Sequence, residues 1–310
     1  MANMTLADLV KLNDRNTADY EISDLLLEAP LLKRLAAAVA SNGTSHQYLK
    51  QTGAPGVGFR AIDTGQVNAA DADTLVTVAL KYLDCSWEID RQLADGAIKG
   101  REWLATRKTA RSLMAGMFKL EQQIVNGGTG GFDGFAQALA TVGDSYMVTS
   151  AGGSGSTLSS VYAIRTGEND CQVIIGNDGM ISIGDPTLQR SADGSNYPFD
   201  VYRCSIVGWS TLQVGGKYSI ARLANIAAST QTLTDDLLAT LLSLFPSGKM
   251  PDFLAMSRRS LMQLQQSRTA TNATGAPAPF PSEAFGVPIV ACESITNTEI
   301  TIGATPTPTA

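Results

Sequence analysis

Apolar and polar positions change period several times along the chain, and each change marks an element. In the first forty residues "SDLLLEA" (23–29) reads as a short helix. Pro30 then stands where a second helix would begin, with Leu31, Leu35 and Val39 forming a stripe at a spacing of four. Residues 41–73 are dominated by Gly, Thr, Asn, Asp and Ala and offer little to a core. From Thr74, "TLVTVALKYLDCSW" turns β-like.

Residues 91–126 return to a helical period. Trp103, Ala110, Leu113, Met117, Leu120 and Ile124 fall on one face. The segment reads as one helix of roughly 50 Å at 1.5 Å per residue, weakened near its start by Gly96 and Gly100. Gly127 occupies the position that favours a left-handed residue after a helix.

Beyond "GGTGGFDGF" (127–135) the pattern is strand and turn. "SSVYAIRTG", "CQVIIG", "MISIG", "YPFDVYRCSIVGWS" and "KYSIARLANI" are β runs bounded by Gly, Asn and Asp. Two helices follow: "TDDLLATLLSLF", capped by Thr234 with Asp235 and Asp236 in its first turn, and "RRSLMQLQQ" after the short strand "DFLAMS". A loop over 269–286 precedes the last strand, "VPIVACESI", and "TPTPTA" reads as a frayed tail. With helices segregated from runs of strands, the class is α+β.

Composition narrows the function. The 310 residues are 44% hydrophobic and 17% charged, as in folded globular chains. A net charge of −6 opposes nucleic-acid binding, which needs concentrated positive charge. The longest aliphatic stretch, "LAAAVA" at 35–40, is far short of the roughly 20 residues of a membrane span, and the N-terminus shows no signal-peptide pattern. Cys85, Cys171, Cys204 and Cys292 are widely spaced and read as buried structural thiols of a reducing compartment. With His46 as the single histidine, no metal-ligand cluster emerges.

Candidate chemistry fails on context. "GAPGVGFR" lacks the lysine of a phosphate loop and precedes polar, β-leaning sequence. "GGTGGFDGF" follows a helix instead of opening one. "VGGKYS" and "PSGKMP" place Tyr218 and Met250 where a magnesium-binding hydroxyl belongs. A hydrolase would have to use His46, at the root of the polar segment, which reads instead as an exposed or hydrogen-bonded side chain. "DAD" at 71–73 lacks the further ligands of a calcium loop. Arg258 and Arg259 open a helix against its dipole, which an acidic partner surface would relieve. No catalytic residue, cofactor or metal is assigned.

What remains is an order of parts: a polar arm, a long glycine-rich loop, a long helix and a β-rich body. In the segments "SHQYLKQTGAPGVGFRAIDTG", "NGGTGGFDGF", "SSVYAIRTG", "KYSIARLANI", "DFLAMSRRSLMQLQQSR" and "EAFGVPIVACESI", spanning nearly the whole chain, the sequence resembles the major capsid (coat) proteins of tailed bacteriophages. That fold is shared with herpesvirus capsids and bacterial encapsulin shells. The resemblance implies an N-terminal arm (1–45), an extended β-hairpin loop (46–80), a spine helix, a peripheral domain (81–127 and 166–226) and an axial domain (128–165 and 227–310). It also implies hexamers and pentamers of one chain in a closed icosahedral shell around double-stranded DNA. Such a virion capsid would assemble in the host cytoplasm, with scaffolding, portal or decoration proteins as possible partners. Pro55, Gly56, Val57, Gly58, Phe59 and Arg60 become the expected assembly-loop contacts. Lys50 lies near that loop, but nothing marks an asparagine or glutamate partner, so no cross-linking chemistry is carried over. The alternatives are an encapsulin-like compartment shell, a tail or portal component forming rings or tubes, and a His46-dependent hydrolase.

Overall fold

The computed structural model describes residues 28–65, 70–143, 147–272 and 276–303. The helix expected at 23–29 falls almost wholly outside them, as does the 305–310 tail. Along the chain, β1 (Ala36–Val39) leads into a long hairpin of β2 (Ser45–Gly53) and β3 (Ala72–Ala79). Next come β4 (Lys81–Asp84), β5 (Trp87–Asp90), the short helix α1 (Arg91–Asp95) and the long helix α2 (Arg101–Asn126). The single turn α3 (Phe135–Ala138) precedes β6 (Val148–Ser150), β7 (Ser159–Ile164), β8 (Cys171–Ile175), β9 (Ser182–Ile183), β10 (Thr187–Ala192), β11 (Pro198–Cys204), β12 (Ile206–Val214) and β13 (Ile220–Ile226). The chain closes with α4 (Asp235–Leu242), β14 (Phe253–Met256), α5 (Arg258–Ala270), β15 (Glu283–Ala284) and β16 (Val287–Ala291).

The strands form four sheets. One runs β1-β8-β12-β4, with β9 also on β12; a second runs β10-β11-β5. A third has the order β15-β16-β14-β7-β13-β6, and among the described residues β2 pairs only with β3. β13 pairs with β6 and β7, and its seven consecutive buried residues suit the interior of the six-stranded sheet.

Two expectations from periodicity are corrected. The helix expected from Pro30 to Val39 is one turn, Leu35 N–H donating to the Leu31 carbonyl at 3.1 Å, followed by β1 in parallel register with β8. Leu31 and Leu35 are buried, but Val39 is 52% exposed. The open edge of β8 offers backbone partners that outweigh the helix preference of three alanines. The helix expected over 91–126 is two. Gly100, at φ +90°, ends the loop between them in a conformation that a side chain would strain, and α2 spans 26 residues, about 39 Å. Its buried side is also shifted. Leu104, Glu121, Ile124 and Val125 are buried, whereas Ala110 is exposed and Trp103, Leu113, Met117 and Leu120 are half-buried.

The glycine-rich segment after α2 is a tight junction. A Cβ on Gly134 would lie 2.3 Å from the Gly127 backbone nitrogen and 2.6 Å from the Gln123 carbonyl oxygen. Only glycine lets α3 start so close to the end of α2.

Two buried charges tie the body together. Glu121, wholly buried, accepts from the Leu31 N–H at 2.8 Å, the Ser294 hydroxyl at 2.7 Å and the Cys292 thiol at 3.0 Å. The Leu32 N–H donates to the same carboxylate at 3.4 Å. Arg222 donates to Glu299 (3.0 Å), to Ser160 (3.0 Å) and to the Leu139 carbonyl (2.8 Å), so the last described segment is clamped to the six-stranded sheet.

All four cysteines are free; Cys171, Cys204 and Cys292 are buried and Cys85 is half-buried. Burial, and then the neighbouring Glu121 charge, push the Cys292 thiol up to about 12.

Glu121→Ala strands several buried donors at once, each costing about 1–3 kcal/mol. A loss of about 3 kcal/mol or more is expected in denaturant titrations of the unassembled subunit, and a change below about 1 kcal/mol would show that the carboxylate is not holding the junction. The Cys292 thiol supplies a second measurement. Its folded value lies above its unfolded one, so its contribution to stability is complete below about pH 9 and is lost as pH rises toward about 12. Cys292→Ser should therefore make stability fall less steeply across that alkaline window, and an unchanged slope would refute the assignment.

Candidate assembly surfaces

The hairpin of β2 and β3 projects as a two-stranded ribbon. Its register runs from Ser45 opposite Ala79 to Gln51 opposite Asp73, with an irregularity before Gly53 pairs with Ala72. At about 3.3 Å per residue, nine residues of β2 reach about 30 Å. Most of the ribbon's residues are exposed and belong to no buried cluster, and such a ribbon is marginal by itself in water.

The root of the ribbon is fixed by polar side chains. His46 Nδ1 accepts from the Ser41 N–H at 3.2 Å, which leaves the proton on Nε2 to donate to the Gln213 carbonyl oxygen at 2.9 Å. Gln172 donates to the same Gln213 oxygen at 2.9 Å, and the Tyr48 hydroxyl donates to the Val214 carbonyl at 3.2 Å. Nε2 thus holds the ribbon to β12, and Nδ1 holds it to the turn at Ser41. The geometry of His46 is that of a hinge pin.

Beyond the paired strands, residues 54–65 carry the expected contact set. Val57 is 90% exposed, Phe59 111% and Ile62 92%. Pro55, Gly58 and Arg60 are exposed and Gly56 is half-buried. A turn at 61–64 shapes the tip: the Thr64 hydroxyl donates to the Ala61 carbonyl at 2.7 Å, Asp63 takes φ +65° and Arg60 donates to the Thr64 carbonyl at 3.3 Å. The stretch therefore presents three large apolar side chains, bare, on a polar stalk. That is the chemistry of a surface made to be covered.

A second projecting hairpin, β10–β11, was not singled out from the sequence. Leu188 (49% exposed) and Tyr197 (72% exposed) stand on it, and Asp193 accepts from the Ser195 and Tyr197 N–H groups to set its turn. The signal was present as "ADGSNY" between two strand-like runs, where Asp-Gly marks a hairpin. Arg259 donates to the Ile226 carbonyl at 3.3 Å and the Asn297 carbonyl at 3.5 Å, and feels the charge of Glu299.

Among the described residues no cluster of His, Cys, Asp or Glu could hold a metal ion, and no helix is long and apolar enough to cross a membrane.

Comparison with known proteins fits this geometry. The family model of the major capsid protein GP7 matches residues 14–302. The structure of bacteriophage Epsilon15 is similar over 97% of this chain and 98% of the other, at 18% identity and a TM-score of 0.69. The bacteriophage JBD30 capsid matches over 94% and 99%, at 12% identity and a TM-score of 0.52. A holo-SrpI encapsulin complex from Synechococcus elongatus aligns with 74% of this chain and 98% of its own at 8% identity and a TM-score of 0.47. No curated protein matches. The chain belongs to the major capsid protein GP7 family, and its fold is that of phage capsid subunits.

Proposed function

We propose that many copies of this major capsid protein close into an icosahedral shell around double-stranded DNA, built from hexamers and pentamers and assembled in the host cytoplasm. The observation that carries the reading is the bare apolar tip. Val57, Phe59 and Ile62 are almost wholly exposed at the end of a ribbon that the subunit's own core never meets. Such side chains become useful when a neighbouring copy buries them, because a weak contact repeated around a closed symmetric shell adds up. The net charge of −6 suits a wall that encloses DNA without gripping it. No catalytic turnover and no nucleotide site belong to this reading.

The sheets also support a refined division of the body. The peripheral domain would comprise 81–127 and 166–214, and the axial domain 128–165 and 220–303, so that β13 joins the sheet in which it is hydrogen-bonded.

Negative-stain microscopy of the chain expressed alone is the direct test, with closed shells as the expected result. Rings or tubes would point to a tail or portal part, and DNA-free particles carrying co-purified enzyme to a compartment shell. Within the subunit, Phe59→Ala should leave circular dichroism and monomer melting unchanged while raising several-fold the concentration needed for assembly. Deleting 53–65 should spare the fold and abolish shells. Normal shells from the deletion variant would sink the assembly-loop assignment.

A further inference from the structure

Asn-Gly occurs twice in the chain, at Asn42–Gly43 and at Asn126–Gly127. The dipeptide is chemically labile, because a residue without Cβ leaves its backbone nitrogen open to attack the preceding carboxamide. Two conditions govern that attack. The glycine N–H must be able to lose its proton, and the backbone must be loose enough to bring the nitrogen to the side-chain carbon. The fold gives the two copies opposite environments.

Asn126 is the last residue of α2 and is half-buried. Its carboxamide donates to the Ser294 carbonyl at 2.8 Å, and the Gly127 N–H donates to the Gln123 carbonyl at 2.9 Å. Both reacting groups are held, and Gln137 packs against Gly127. Asn42–Gly43 instead forms the tip of the bend at 41–44 between β1 and β2, and both residues are exposed. Hydrogen bonds pin the bend on either side of that tip. The Ala40 N–H donates to the Ile175 carbonyl, the Asn42 N–H to the Ser45 carbonyl and the Leu80 N–H to the Thr44 carbonyl, each at 3.0 Å. At Gly43 itself an added Cβ would meet nothing within 4 Å.

We propose that Asn42 is a site of spontaneous covalent modification, converted through a succinimide to isoaspartate and aspartate, while Asn126 is protected. The Gly43 nitrogen gives its proton to hydroxide, and its electron pair forms a bond to Asn42 Cγ. The Cγ–Nδ2 bond breaks and ammonia leaves, closing the ring. Water then opens the ring at either carbonyl, so that one water is consumed for each ammonia released. Isoaspartate routes the main chain through the side chain and adds a methylene between residues 42 and 43, and both products carry a new negative charge. The change falls at the root of the ribbon, where the Ser41 N–H donates to His46 Nδ1 at 3.2 Å and the Ser41 hydroxyl accepts from the Gln47 N–H at 2.8 Å. A longer backbone beside Ser41 shifts these bonds against the Asn42–Ser45 bond and re-aims the ribbon. Unassembled subunits therefore age. That consequence rests on the assembly-arm reading above, whereas the chemical step does not.

The test ages the full chain as dilute, unassembled subunits for days in mildly alkaline buffer. Peptide mapping by mass spectrometry, with methyl labelling by a protein isoaspartate methyltransferase, then reads each site. The Asn42 peptide should gain the mass of an amide-to-acid conversion and take up label at least several-fold faster than the Asn126 peptide. Gly43→Ala should slow this conversion many-fold and leave circular dichroism unchanged, because the space for its Cβ is open. An unaltered Asn42 peptide, equal conversion at Asn126, or undiminished conversion in Gly43→Ala would each overturn the proposal. Assembly supplies the second measurement: aged wild-type chain should need a several-fold higher concentration to form shells than aged Gly43→Ala. Equal thresholds despite conversion at Asn42 would overturn the re-aiming of the ribbon. Fresh chains that form no shells would count against the shell reading and leave the mass measurement to decide the chemical step.

Discussion

A carboxylate shut away from water persists only if its oxygens are hydrogen-bonded. Glu121 meets that demand with donors from two distant parts of the chain: the turn at Leu31–Leu32 and the segment at Cys292–Ser294. The requirement therefore couples the arm, the long helix and the end of the chain at one point. The other end of α2 is held differently, by Leu104 packed with Trp87, Ile89 and Ile206 in a smaller apolar cluster. Beside Glu121, Ile124 and Val125 pack into the main core, so α2 joins both apolar clusters. β4 and β5, which follow directly from the hairpin, lie between the hairpin and α2 in the chain.

The hairpin itself contributes nothing to the subunit's core. Its rigidity comes from the β2–β3 ladder and from the His46–Gln213 and Tyr48–Val214 bonds at its root. A surface aimed at a neighbour must be presented in a fixed direction without being buried at home. Polar bonds at the root do this, whereas an apolar root would draw the ribbon down onto the body. The single histidine thus has a positional role at the root of the ribbon.

Elements whose cause is local were legible in the sequence. Thr234 caps α4, as its place before Asp235 and Asp236 suggested, and "RRSLMQLQQ" opens α5. Elements decided by distant partners were not. Three alanines became a strand because β8 left an edge open, and β13 joined a sheet whose other members lie before and after it in the chain. The junction at Glu121 was invisible for the same reason. A glutamate in a helix reads as solvated unless the residues 90 and 173 positions away are known to meet it.

The glycines separate what the subunit needs from what lies outside it. At Gly134 a side chain would collide with the backbone at the end of α2, so the requirement is met within the fold. At Gly58 and Gly65 an added Cβ would meet nothing within 4 Å. Glycine in open space brings conformational freedom that ordering must overcome, and the subunit's own packing gives no reason for it. The assembly proposed above supplies one: a copy that buried Val57, Phe59 and Ile62 would bring backbone close to the loop and leave little room for side chains between the anchors. A loop that is over-permissive in the isolated chain and bears bare apolar anchors is accounted for physically once the docking of a second copy proposed above is added to it.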